Sequence, residues 1–201
     1  MGKFQFQRKH ILPLVLAILA VLCLILTAAV SIQANRINNM EQRMSHDMEL
    51  QTDSLCQACD DLLNNLGADP GHVRHFIIQL QAQFNQLDNH TLLYECFSDV
   101  WDRSTMENIT YNVSPILGMS SQIMARYDSL TTEEQELFTG FLMQFTEQIR
   151  LAFSFSQEKH SIFDLTQNIT SINGGWRQLE NYMDENDTWD YFQENLSHLA
   201  Q

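Results

Sequence analysis

ILPLVLAILAVLCLILTAAV, residues 11–30, is a run of twenty residues without a charge. At about 1.5 Å of rise per residue, a helix of that length matches the roughly 30 Å hydrocarbon core of a bilayer. The run predicts one transmembrane helix over residues 11–31. On its N-terminal side lie ten residues that carry Lys3, Arg8 and Lys9 beside His10, with no acidic side chain. Basic residues on a short flank mark the cytoplasmic side. Residues 1–10 therefore read as a cytoplasmic tail, and everything beyond the span as extracytoplasmic, anchored in the cell membrane by a single pass. The rival reading is a cleaved signal peptide. Its apolar region usually spans about 7–15 residues and ends at a small-x-small site. This run is longer, and Thr27-Ala28-Ala29 is the nearest substitute for such a site. Cys23 follows Leu22 in mid-span and reads as a small apolar residue rather than a lipidation site.

Charge constrains what the remainder can touch. The chain has 11 Lys and Arg against 25 Asp and Glu. Taking away Lys3, Arg8 and Lys9 leaves 8 basic residues against the same 25 acidic ones after residue 10, a balance of −17. Such a surface repels phosphate and anionic lipid, which disfavours nucleic acid as a partner. With only 7 Gly and 3 Pro, and no alternating β-branched runs, the composition favours an all-α domain. No internal repeat or low-complexity linker interrupts it.

Helical periodicity resumes directly after the span. Ile37, Met40, Met44, Met48, Leu55, Cys59, Leu62 and Leu66 recur at helical spacings. With no Pro or Gly between, they predict that the span continues into a long juxtamembrane helix over residues 32–67. Gly67 is then the expected left-handed residue past its end. Residues 68–201 form the expected helical bundle, packing with residues 32–67. Asp69 and Pro70 open a helix with Val73, Phe76, Ile77, Leu80, Phe84 and Leu87 inward. Asp88 to Thr91 predicts a break. A third helix carries Leu93, Phe97, Val100 and Trp101 and fades near residues 108–113. Ser114-Pro115 predicts a restart bearing Ile116, Met119, Ile123, Met124 and Tyr127. Thr131 with Glu134 forms a capping box. It opens a helix whose stripe of Leu137, Phe138, Phe141, Leu142, Phe145, Ile149 and Phe153 should be central to the core. A heptad then runs through Leu151, Phe155, Glu158, Ile162, Leu165, Ile169, Ile172, Trp176, Leu179 and Met183, apolar except at Glu158. Bends are expected near residues 156–161 and at Gly174-Gly175. The last helix is expected over residues 188–200.

That heptad must be buried by something. Either the stripe at residues 137–153 and the helix before Gly67 cover it, or Leu165, Ile169, Ile172 and Trp176 form an interface with a second copy or another protein.

Few residues suggest chemistry. Cys56 and Cys59 precede His72 and His75 in a C-x2-C-x12-H-x2-H spacing close to that of a zinc finger. In a helical hairpin turning near Gly67, however, Cys56 lies more than a turn from the histidines, and no β-hairpin is present. A metal is not expected, nor any other cofactor. Outside the cytoplasm a disulfide is plausible, and Cys59 with Cys96 would tie two helices. Asp184 to Asp190 begins like a calcium loop but has Trp189 where the glycine belongs. No nucleophile elbow, zincin motif or phosphate-cradling loop occurs, so an enzyme is not expected. Six glycosylation sequons occur, at Asn89, Asn108, Asn112, Asn168, Asn186 and Asn195. Roughly two would arise by chance at this composition, and the excess fits a type II membrane glycoprotein.

A basic tail, one span, a helix running outward and a helical domain resemble the layout of bacterial sensor ectodomains. The stretch Gln42-Arg43-Met44-Ser45-His46-Asp47, and Leu130-Thr131 with Glu134 opening a long helix, are similar to the N-terminal helical region of a membrane protein of bacterial spore germination. The sequence is read as a membrane-anchored helical bundle that serves as an interaction or scaffold module for another protein. A ligand-sensing ectodomain with a separate signalling partner is the alternative.

Overall fold

Scarce Gly and Pro and long apolar stripes leave helix as the only regular structure among the described residues. The structure, a computed structural model, describes residues 11–94, 103–154 and 165–201. Its helices are α1 (Ile11–Asn65), α2 (Pro70–Tyr94), α3 (Arg103–Met124), α4 (Thr132–Phe153), α5 (Leu165–Glu185) and α6 (Thr188–Asn195). Short 3-10 turns lie at Tyr127–Ser129 and Ser197–Ala200. The chain divides into two units, Met1–Arg43 and Met44–Gln201.

In the first unit the described residues belong to α1. One helix, Val15–Asn65, has a stretch long and apolar enough to cross a membrane, with a mean hydropathy of 3.0 and none of that stretch buried. Leu16, Leu19, Leu22, Leu24 and Leu26 are all exposed. Ile37 and Met40, expected on the buried face, are exposed as well; burial along α1 begins only at Met44.

The second unit holds the core. Met44, Met48, Leu55, Cys56, Cys59 and Leu62 of α1 are buried. α1 ends at Asn65, where the Ala68 N–H donates to the Asn65 carbonyl over 2.9 Å. Gly67 does not take the left-handed conformation expected of it, since no glycine has a positive φ among the described residues. Asp69 caps α2 by accepting from the N–H groups of Gly71 (3.0 Å) and His72 (3.2 Å). The Thr131–Glu134 capping box on α4 is complete: Glu134 N–H donates to Thr131 Oγ1, and Thr131 N–H to Glu134 Oε2.

Aromatic rings join α2, α4 and α5. Trp176 is buried with its ring edge-on to Phe84 at 5.4 Å and to Phe153 at 5.0 Å. Phe138, Leu142, Phe145, Ile149 and Phe153 of α4 are buried, whereas Leu137 is exposed. Arg150 forms a two-pronged pair with Glu147 on its own helix and lies 3.7 Å from Asp60 of α1. The Asn168 amide donates to Ser45 Oγ at 2.6 Å, tying the start of α5 to α1.

Two expected helix breaks are absent. α2 runs through Asp88 to Thr91: the Thr91 hydroxyl donates back to the Leu87 carbonyl, and Asp88 accepts from Thr110 of α3 at 3.0 Å. Thr91 is thus satisfied within its own helix and Asp88 by the neighbouring one, so neither acts as a cap. α3 runs through Pro115 because Ile109, Val113, Ile116 and Leu117 on both sides are buried. The carbonyl that Pro115 leaves without its helical donor is that of Tyr111, an exposed residue. α5 runs unbroken through Gly174 and Gly175. The C-terminal helix, by contrast, is shorter than expected: α6 stops at Asn195 and a 3-10 turn follows.

The heptad faces inward. Ile169, Ile172, Trp176, Leu179 and Met183 belong to the core of the chain's own unit, so Ile169, Ile172 and Trp176 are not free to form an interface. Leu151 points to solvent. The side chain of Leu165, together with Phe155, Glu158, Ile162 and the bend at residues 156–161, lies outside the described residues. So do Phe97, Val100 and Trp101.

Candidate functional site

The sequence candidates for metal do not converge. Cys56 and Cys59 are buried on α1, while His72 and His75 are exposed on α2. The His72 ring is engaged by the capping carboxylate of Asp69, and His75 lies edge-on to Phe76 at 5.8 Å. No three groups of metal-ligating type are gathered among the described residues. Cys56 and Cys59 form no disulfide with each other or with Cys23 among the described residues. Burial, reinforced by Asp53 and Asp60, pushes Cys56 up to about 11, and burial raises Cys59 well above its ordinary value. A thiol held protonated is a poor nucleophile and a poor metal ligand. Cys96, and with it the pairing with Cys59, lies outside the described residues.

The sequons are spread over the surface. Asn89, Asn108, Asn186 and Asn195 are exposed, and Asn112 and Asn168 are half-buried. Leu196 is buried while the preceding Asn195 is exposed. Asn168 alone spends its amide on a distant helix, through Ser45.

What the tertiary structure assembles instead is a half-open cavity of about 430 Å³ on α4, α5 and α6. Its α4 wall is Glu136, Leu137, Gly140, Phe141 and Gln144; Tyr182 and Asn186 come from α5 and the turn after it, Thr188 and Tyr191 from α6. The aromatic side is a stack. Phe141 lies nearly parallel to Phe145 (5.5 Å, 15°) and to Tyr191 (6.1 Å, 19°), and tilts against Phe192 at 5.3 Å. Phe145 and Phe192 are core, so the stack is held from behind while Leu137 and Tyr191 reach solvent.

Gly140 makes the room. It sits in the middle of α4, where glycine costs roughly 1 kcal/mol relative to alanine. A Cβ built there would meet nothing within 4 Å. Asp187, just before α6, is the one non-glycine residue at positive φ among the described residues, at φ 44°. This left-handed step turns the chain sharply into α6 and sets Thr188 at its first position. Thr188 is 3 % exposed, and its hydroxyl has no hydrogen-bond partner among the described residues. Burial raises the Tyr182 phenol above its ordinary value. Glu136 is the only ionisable carboxylate in the lining, and no Lys, Arg or His is present.

Sequence reasoning placed Phe141 in the core, Asn186 among the sequons and Thr188 at a helix start. It did not join Phe141 of α4 to the turn between α5 and α6 that leads from Asn186 to Thr188, because the two segments are far apart in sequence. One local sign was present: Gly140 interrupts the strong helical run LFTGFLMQF without any turn.

A second cavity of about 420 Å³ shares Tyr182 and is walled by Gln148, Gly174, Arg177, Gln178, Asn181 and Glu185.

No protein-family model, characterised protein or solved structure matches the chain.

Proposed function

We propose that this is a single-pass membrane protein with its N-terminus in the cytoplasm, and that the unit Met44–Gln201 works outside the cytoplasm as a non-enzymatic binding module for another protein. One observation carries the proposal: α1 leaves the whole apolar stretch from Val15 to Val30 uncovered, while its burial starts at Met44. An apolar surface of that extent needs a lipid or protein cover. Lys3, Arg8 and Lys9 orient the span by the positive-inside rule. The cavity lining supports binding over catalysis, since no serine, cysteine or histidine stands there beside Glu136. The test is crosslinking in native membranes followed by identification of what is joined. Labelling with an impermeant thiol reagent checks orientation. A cysteine at exposed Gln122 should react from outside intact cells and one at Gly2 should not. Reaction at Gly2 alone reverses the topology.

A second reading is favoured by the cavity of about 430 Å³ on α4, α5 and α6. On this reading the unit binds a small ligand and passes the event to a separate membrane partner. Loss of partner crosslinking on filling the cavity would support it.

A further inference from the structure

We infer that the cavity on α4, α5 and α6 takes a protonated organic amine with an apolar body, an assignment that rests on the ligand-binding reading above. Space comes first: about 430 Å³ lies within the range of small-molecule sites. Gly140 keeps it open. A helical side chain leans back over the residues three and four positions before it. A side chain at position 140 would therefore lie over Glu136 and Leu137, and the glycine leaves both of them in the lining.

The lining then selects the chemistry of the ligand. The Asn186 amide N–H donates to the Tyr182 carbonyl at 2.8 Å, and its oxygen accepts from nothing among the described residues. Glu136, in the same lining, is an acceptor that carries charge. Both call for a donor, and an ammonium group donates without accepting. Phe141 and Tyr191 add aromatic rings, whose faces attract a cation and whose area covers a hydrocarbon body. A neutral hydroxyl would leave the charge of Glu136 unanswered, and an anion would be repelled by a lining without Lys, Arg or His. The surroundings point the same way. Residues 127–149 and 178–197 include the whole lining; they carry five and six carboxylates respectively and no Lys, Arg or His. Tyr182 and Asn186 bring the C-terminal end of α5 to the cavity, the negative end of its dipole, and its last turn has no basic residue. The first turns of α4 and α6 hold acidic residues of their own, Glu133, Glu134 and Asp190. The field at this end of the unit therefore draws cations.

The experiment is a saturation-transfer NMR titration of the full chain in phosphatidylcholine nanodiscs, with empty nanodiscs as the blank. Four probes share one phenylethyl body: 2-phenylethylamine, its trimethylammonium analogue, 2-phenylethanol and 3-phenylpropionate. The amine is expected to bind at least about fivefold more tightly than the alcohol or the carboxylate. Glu136→Gln should weaken the amine by about two- to fivefold, the range for an exposed ion pair, and leave the alcohol unchanged. Gly140→Leu fills the cavity with a better helix former; it should weaken the amine at least about tenfold and melt no lower than the parent, which separates lost binding from lost folding. Gln178→Ala, outside this cavity, should bind like the parent. The trimethylammonium probe has no N–H, and binding equal to that of the amine would overturn the assignment of a hydrogen-bond donor. Alcohol or carboxylate binding as tight as that of the amine, abolished by Gly140→Leu, would overturn the amine while keeping the cavity as a ligand site. Silence from all four probes at high-millimolar concentration would overturn both. Amine binding that Gly140→Leu leaves intact would put the amine elsewhere and also overturn the assignment.

Discussion

Gly174 and Gly175 are adjacent in the middle of α5, and alanine at each should change stability in opposite directions. A Cβ at Gly174 would meet nothing within 4 Å. A Cβ at Gly175 would lie 2.5 Å from the Ala152 carbonyl oxygen and 2.9 Å from the Phe153 ring. Alanine in a helix interior gains about 0.5–1 kcal/mol over glycine by restricting the unfolded chain. Gly174→Ala should keep that gain whole. Gly175→Ala has the same gain but also forces α4 and α5 apart. Overpacking of this kind costs about 1–3 kcal/mol, more where the obstacle is backbone. Its net effect is therefore a loss of about 1–2 kcal/mol. At about 2–4 °C per kcal/mol for a domain of this size, Gly174→Ala should raise Tm by about 1–4 °C and Gly175→Ala should lower it by about 2–8 °C. The assay is thermal denaturation of the full chain in nanodiscs, followed by near-ultraviolet circular dichroism of the buried aromatic cluster. A Gly175→Ala protein that melts at or above the parent would refute the close α4–α5 crossing. A Gly174→Ala protein that melts lower would refute the open space on the outer face.

Phe145→Ala should cost about 3–5 kcal/mol because the ring is fully buried, and Phe141→Ala should cost less because that ring borders the cavity; equal losses in chemical denaturation would misplace one of them. Thr131→Ala should cost about 1 kcal/mol by removing the cap of α4. Hydrogen bonds from the Thr131 N–H and hydroxyl hold the Glu134 carboxyl below its ordinary value. That contribution is present above the ordinary carboxylate pKa and is lost as pH falls through the lowered one, so the Thr131→Ala difference in Tm should shrink on acidification. Asp88 behaves oppositely: burial raises its carboxyl in spite of the hydrogen bond from Thr110, and Glu107 adds to the rise. Its ionisation therefore subtracts stability as pH rises through the carboxylate range. Asp88→Asn keeps an acceptor for Thr110 and should raise Tm at neutral pH, with the gain vanishing below the ordinary carboxylate value. A variant that melts lower at neutral pH would contradict this.

Local chemistry was legible from the residues alone. Residues 11–30 marked an apolar helix, because twenty uncharged residues leave no other economical structure. Thr131 with Glu134, and Asp69 with Pro70, located two helix starts, because a cap bonds only to N–H groups within its own first turn. The inward phase of α2, α4 and α5 followed from spacing, since a stripe at helical period can face only one way.

Three-dimensional packing decided the rest. Whether Asp88 to Thr91 and Pro115 break a helix depends on what lies beside them. Thr110 and a shared buried face kept α2 and α3 whole where local propensity favoured a turn. The covering of Trp176 depended on Phe84 and Phe153, which are tens of residues away in sequence. The two adjacent glycines look alike in the sequence; only the approach of Ala152 separates them. The cavity belongs to the same class. Gly140, Thr188 and Tyr191 line one cavity only when α4, α5 and α6 meet. Spacing along one helix reports its own faces and carries no information about which other helix arrives there.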